Sequence, residues 1–200
     1  MEETKESIYG DAMPRLEERM MYLVDEVEAV RREVEEELGL DPVEHCLYRI
    51  KEEESMREKC RRKGLPETTE SALTKLYDAI GIRVVCAFVN DVYLIRDRLV
   101  ALPECEIVEE KDYIRHAKSN GYRSYHLILK VKGDTYAEIQ LRTISMDTWA
   151  ALEHHMTYKK NVSKADALIF AELKRCADEL ASTDISMQTI RDMIYENTDN

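Results

Sequence analysis

The sequence predicts a mixed α/β (α+β) domain, a β-sheet flanked by a long helix at each end of the chain. Two observations predict it. Apolar residues recur every three or four positions in both terminal stretches, and the middle alternates helix-like with strand-like runs. A third sets the domain count: six Gly and four Pro in 200 residues leave little room for linkers. One domain is therefore expected over 1–200, with a helical extension over 1–40, a core over 45–160 and a second helical extension over 163–200.

In chain order, "DAMPRLEERMMYLVDEVEAVRREVEEELG" comes first. Met13, Leu16, Met20, Leu23, Val27, Val30 and Val34 form one stripe, and Gly39 closes the helix. "RIKEEESMREKCRRKG" reads as a helix ending at Gly64, and "IGIRVVCAFV" as a buried strand. "NDVYLIRDRLVAL" reads as a helix with Asn90 as its N-cap, and "CEIVEEKDYI" as a strand. "YRSYHLILKVKGDTYAEIQLRT" splits at Gly-Asp into a hairpin. "SMDTWAALEHHMTYKK" reads as a helix capped by Ser145. Ile169, Leu173, Cys176, Leu180, Met187, Ile190 and Ile194 then repeat the stripe of the first helix, with a break near Thr183. Each terminal stripe must be covered. The domain's own core and a homo-oligomer interface, dimer or tetramer, serve equally well.

Charge and cysteine narrow the function. A net charge of −12 disfavours non-specific binding to nucleic acid or anionic membrane. Five cysteines, an odd number with no CxxC, fit a reduced cytoplasmic setting and no zinc site. His154 and His155 are adjacent and diverge on a helix, a poor metal pair. No run is apolar enough to span a membrane, and no signal peptide is expected. Neither a Walker A sequence nor GxGxxG occurs, so a bound nucleotide would have to be held by side-chain cations.

Three places gather such side chains. In the hairpin's second strand Glu138, Gln140 and Arg142 share one face, while Tyr122, Ser124 and His126 keep the same two-residue spacing just upstream. A solvated polar face and a catalytic floor both fit. If the second helix includes Lys51, then Lys51, Ser55 and Lys59 share a face at i, i+4 and i+8, with Arg49 beside them, a set able to grip a polyphosphate. Asp78 stands at the mouth of a strand with Arg83 five residues on; it suits Mg²⁺ ligation, or merely a turn. If Asp78 and Glu138 converge, they form a pair suited to phosphoryl transfer around Mg²⁺.

Taken as a series, R-x-K-x3-S-x3-K (Arg49–Lys59), D-x2-G-x-R (Asp78–Arg83), K-x-N-G-Y-R-S-x-H (Lys118–His126) and E-x-Q-x-R-T (Glu138–Thr143) resemble the synthetase domain of the RelA/SpoT homologue family, and in length its small alarmone synthetases. The resemblance implies a nucleotidyltransferase-like fold with a sheet of about five strands. It implies transfer of the β,γ-diphosphate of ATP to the ribose 3′-hydroxyl of GDP or GTP, giving AMP and (p)ppGpp. By the resemblance, Arg49 and Arg83 sandwich adenine, while Lys51, Ser55 and Lys59 hold the ATP phosphates. Asp78 ligates Mg²⁺, and Glu138 ligates it, takes the 3′-hydroxyl proton, or both. Tyr122 stacks on guanine. Lys118, Asn120, Arg123 and His126 surround the acceptor nucleotide, and Gln140 and Arg142 support the floor. Asp147 could accept the guanine N1–H and N2–H, or simply suit the helix dipole. Nothing before Arg49 resembles the family's hydrolase domain, so synthesis without hydrolysis is expected. Relatives that modify tRNA or adenosine nucleotides, and a non-enzymatic nucleotide-sensing oligomer, are the alternatives.

Overall fold

The computed structural model describes residues 6–157 and 167–198. In chain order the elements are α1 (Met13–Leu38), β1 (Val43–Ile50), α2 (Glu53–Arg62), β2 (Ile80–Cys86), α3 (Val89–Leu99), β3 (Cys105–Asp112), β4 (Tyr125–Val131), β5 (Thr135–Thr143), α4 (Ile144–Thr157) and α5 (Ala167–Thr198). A single π turn, Ser71–Lys75, leads into β2. The sheet runs β1-β2-β5-β4-β3, with β2 and β5 parallel and every other neighbour antiparallel. The five-stranded mixed sheet between terminal helices agrees with the expectation.

One face of the sheet is apolar. Ile80, Ile82, Val84, Leu127, Leu129, Ala137, Ile139 and Leu141 are buried there under α1 and α3. The α1 stripe is spent on this core: Leu16, Leu23, Val27, Val30 and Val34 are buried, and Met13 and Met20 pack against it. Packing on the domain itself therefore accounts for the first helix. At roughly 1.5–3 kcal/mol per fully buried aliphatic side chain, this stripe is a large share of what holds α1 in place.

Several local expectations are corrected. The stretch 43–50, not read as a strand, is edge strand β1, so Arg49 is in the sheet and Lys51 lies before α2 rather than on it. Only Val43 of β1 is buried, which leaves no apolar alternation to read. Asn90 does not cap α3; the Asp91 carboxylate accepts the Phe88 backbone N–H at 3.1 Å, and Asn90 lies inside the helix. Ser145 does not cap α4; the Thr143 hydroxyl accepts the Met146 N–H at 3.2 Å, two residues earlier. Residues 158–160 and 163–166 of the expected helices lie outside the described residues. The break in the apolar rhythm near Thr183 falls inside one continuous helix, where the Thr183 hydroxyl donates to the Glu179 carbonyl at 3.0 Å.

The expected α5 stripe is divided. Leu173 is buried and Leu180 packs beside it, but Cys176, Ile169, Met187, Ile190 and Ile194 are exposed. The helix instead turns a small residue inward: Ala177 is buried with Leu173 and Trp149, and the Trp149 indole donates to the Leu173 carbonyl at 2.9 Å.

Candidate active site

The other face of the sheet is polar, and register places its groups in two rows. Arg49, Gly81 and Glu138 stand side by side across β1, β2 and β5. One step along, Leu47, Arg83, Gln140 and His126 form the second row across β1, β2, β5 and β4. Paired residues on neighbouring strands sit about 5 Å apart and face the same side. An open cavity of about 400 Å³ lies over these rows, lined by Leu47, Tyr48, Arg49, Lys51, Lys59, Arg62, Asp78, Gly81, Ile82, Arg83, Glu138 and Gln140. Asp78 and Glu138 thus converge on one space, as the motif reading required. Ser55 is exposed on α2 and does not line it.

Within the cavity Asp78 Oδ2 receives Lys51 Nζ at 2.6 Å and Lys59 Nζ at 2.7 Å. Burial opposes its charge, but the two ammonium groups outweigh burial and hold the carboxyl below its usual range. Its Oδ1 is buried and has no hydrogen-bond partner. A buried carboxylate oxygen without a donor is costly, and a hard cation is the partner that suits it. No cluster of three or more His, Cys, Asp or Glu able to hold a metal occurs among the described residues. The unpartnered Asp78 Oδ1, with Glu138 lining the same cavity, fits Mg²⁺, which takes one or two carboxylates and completes its shell with water and substrate phosphate.

Glu138, which lines the same cavity, belongs to a closed ring of hydrogen bonds. Its Oε1 meets His126 Nδ1 at 2.9 Å, and His126 Nε2 meets the Tyr122 hydroxyl at 2.8 Å. Arg142 Nη2 donates to that hydroxyl at 2.8 Å and to Gln140 Oε1 at 2.9 Å, and Gln140 Nε2 returns to Glu138 Oε2 at 3.0 Å. Arg142 can only donate. An ionised carboxylate can only accept, so His126 Nδ1 donates to Glu138, and the Tyr122 hydroxyl pairs with Nε2. Burial pushes the Glu138 carboxyl up, but His126 and then Gln140 more than reverse this, lowering its pKa to about 2. Glu138 is therefore ionised at neutral pH.

Asp147, in the first turn of α4, is engaged by both sides of the site. Arg142 Nη1 donates to its Oδ1 at 2.9 Å, and Arg83 Nη1 approaches the same oxygen at 3.3 Å. Burial first, and then the Arg142 charge, pull the Arg83 pKa down, while its Nε is buried without a partner. Arg49 is exposed at the cavity rim.

The loop before β4 carries the remaining candidates. Asn120 Oδ1 accepts the Tyr122 N–H at 3.1 Å, and the Gly121 N–H bonds to the Lys118 carbonyl at 2.8 Å, which makes a tight turn. The side-chain oxygen of Asn120 is thus spent on shaping the loop. Arg123 faces away from the cavity, donating to the Gly121 carbonyl and to Asp178 of α5 at 2.8 Å. Tyr122 is half-buried rather than part of the main core, with Lys118 Nζ over its ring at 4.6 Å. The same ammonium sits 4.5 Å from the Tyr113 ring, and burial lowers its pKa. Tyr113 and Gly81 complete the site without having been singled out in the sequence. Tyr113 was visible only as one more tyrosine of the loop. Gly81 was visible as the motif glycine whose missing side chain bares the cavity floor between Arg49 and Glu138.

The polar face of this five-stranded mixed sheet joins two carboxylates to a row of cations, a set suited to phosphate-bearing ligands. The family model described as "Region found in RelA / SpoT proteins" matches residues 48–163, and the chain belongs to this family. It is 40% identical over 147 residues to GTP pyrophosphokinase YwaC of Bacillus subtilis, covering 70% of each chain. It is 32% identical over 177 residues to GTP pyrophosphokinase YjbM of the same organism, covering 85% of this chain and 82% of that one. Among solved structures, small alarmone synthetase 1 from Bacillus subtilis bound to its product pppGpp superimposes with a TM-score of 0.79 at 30% identity, over 92% of this chain and 96% of that one.

Proposed function

We propose that this chain is a (p)ppGpp synthetase, moving the β,γ-diphosphate of ATP onto the ribose 3′-hydroxyl of GDP or GTP and releasing AMP. The observation that carries the reading is the meeting of Asp78, with its two lysines, and Glu138 in one cavity between an arginine rim and a tyrosine-bearing loop. Membership of the family, and the pyrophosphokinase names of its relatives, support it.

Each group has a physical task. Arg49 and Arg83 offer guanidinium planes for adenine, contacts worth about 0.5–2 kcal/mol each. Lys51 and Lys59 exchange their shared carboxylate for the phosphates of ATP. Asp78 and Glu138 would hold Mg²⁺, which would neutralise the charge that grows on the phosphate oxygens. Glu138, anionic at neutral pH, accepts a hydrogen bond from the attacking 3′-hydroxyl and orients it. His126 and Gln140 keep that carboxylate in place, and Arg142 ties both to Tyr122. Tyr122 offers guanine a π-face worth about 1–3 kcal/mol once Lys118 swings off its ring toward the acceptor's phosphates. The homo-oligomer and the cytoplasmic location belong to the same proposal. The exposed apolar side chains of α5 support the first, and five free thiols support the second.

Incubating the protein with ATP, Mg²⁺ and GDP or GTP, and resolving nucleotides by anion exchange, tests this. AMP and ppGpp or pppGpp are expected in equal amounts. AMP without an alarmone, or no product with any guanine nucleotide, overturns it.

A further inference from the structure

Residues 6–9 precede α1 and belong to none of the four motifs. Yet four hydrogen bonds join them to residues 51–57. The Tyr9 hydroxyl donates to the Lys51 carbonyl at 2.5 Å. Ser7 Oγ donates to Glu53 Oε1 at 2.6 Å, and the Ile8 N–H donates to Glu53 Oε2 at 3.0 Å. Arg57 Nη2 donates to the Glu6 carbonyl at 2.6 Å. The Tyr9 ring is only 1% exposed and is part of the main core, so its hydroxyl is presented from a rigid base.

The consequence falls on Lys51. It lies between β1 and α2, one residue past the last β1–β2 pair. Its N–H bonds to the Ala79 carbonyl at 2.8 Å, next to Asp78, and its C=O is taken by Tyr9. These two bonds orient the root of a long, flexible side chain whose ammonium reaches Asp78 at 2.6 Å. The same clasp settles where one of three successive acids goes. Glu53 spends both oxygens on Ser7 and Ile8, while Glu54 pairs with Arg61 at 2.8 Å. An anion that would repel phosphate is thereby turned to the N-terminal segment.

We propose that Tyr9 is a positioning residue for ATP: its hydroxyl locks the Lys51 carbonyl and so aims the Lys51 ammonium at the phosphates. The segment 6–9 is then part of the frame of the ATP site. This rests on the reading of Lys51 as a phosphate ligand.

The test measures dissociation constants for a non-hydrolysable ATP analogue with Mg²⁺ and, separately, for GDP. Wild type, Tyr9→Phe, Ser7→Ala, Lys51→Met and the double variant Tyr9→Phe/Lys51→Met are compared, with melting temperatures. Tyr9→Phe removes one hydroxyl and keeps the ring. Weakening of the ATP analogue by about three- to tenfold is expected, the factor for one buried hydrogen bond. GDP affinity should stay within twofold of wild type, and the Tyr9 effect should vanish in the Lys51→Met background. Ser7→Ala should weaken ATP in the same direction, and carries the test should Tyr9→Phe fail to fold. A normal ATP affinity in Tyr9→Phe, an equal loss for both nucleotides, or a loss that persists without Lys51 overturns the proposal. Normal ATP affinity in Lys51→Met overturns instead the assignment of Lys51, so the two failures are told apart.

Discussion

At the scale of single residues, Glu138 and Gly81 make opposite demands. Glu138 must keep a charge. Replacing it by Gln keeps the volume but sets an amide against the amide of Gln140, which now donates to Glu138 Oε2. Turnover of Glu138→Gln is expected to fall by about 10²–10⁴-fold, the usual range for a carboxylate acting on a reacting proton. ATP-analogue affinity, read by calorimetry, should change much less; wild-type turnover would remove Glu138 from the chemistry. The same variant reports on stability. The folded carboxyl is depressed to about 2 from 4.5, so its contribution is complete above pH 4.5 and is lost as pH falls toward 2. The melting-temperature gap between wild type and Glu138→Gln should therefore narrow as pH drops below 4.5. Gly81 must keep its side chain absent for the ligand, not for the fold. A Cβ there would meet nothing closer than the Arg49 carbonyl oxygen at 3.9 Å, an ordinary contact. Gly81→Ala should leave folding intact or stabilise it by about 0.4–1 kcal/mol through the unfolded chain, while KM for ATP rises. An unchanged KM would show that ATP does not approach this floor.

At the scale of elements, what could be read depended on whether a segment had an apolar side. α1, α3 and strands β2, β4 and β5 each bury a regular set, and periodicity found them. β1 is an edge strand with one buried residue, so nothing in its pattern separates it from the helical run of α2 that follows. A strand, a turn and a helix bring Lys51 and Lys59 to one carboxylate oxygen as well as a single helix face would. The α5 contact was illegible for a different reason. Ala177 and Gly121 meet there, and small residues carry no hydrophobic signal. Gly121 has φ +94°, and a Cβ on it would stand 2.6 Å from Ala177 Cβ and 3.1 Å from Lys174 Cα. Both backbone strain and overlap oppose any side chain, at about 1–3 kcal/mol each. Gly121→Ala should thus lower the denaturant midpoint clearly. Because the loop also carries Lys118 and Tyr122, KM for GDP should rise more than KM for ATP. Equal effects on the two would mean that α5 braces the whole domain rather than the acceptor loop.

At the scale of the whole molecule, burial is unevenly shared between the two terminal helices. α1 spends its stripe on the core, whereas α5 leaves Met187 52% and Ile190 49% exposed beside Leu40. These side chains line an apolar groove of about 280 Å³ that also includes Leu38 and Phe88. Single exposed apolar residues are ordinary; a contiguous set along one helix and the end of another is the kind of surface that a partner covers. With a net charge of −12, two copies repel at long range, so association must rest on this apolar contact and should strengthen as salt screens the repulsion. Light scattering after size exclusion should give a mass that is a multiple of 23.4 kDa and rises with protein and salt concentration. Ile190→Glu, which would bury a carboxylate in the contact, should return the mass to 23.4 kDa at every concentration. Its melting temperature at low protein concentration should match that of wild type, because Ile190 supports no part of the monomer's core. A wild-type mass of one chain throughout would mean that the α5 stripe faces water, and would remove the oligomer from the proposed function.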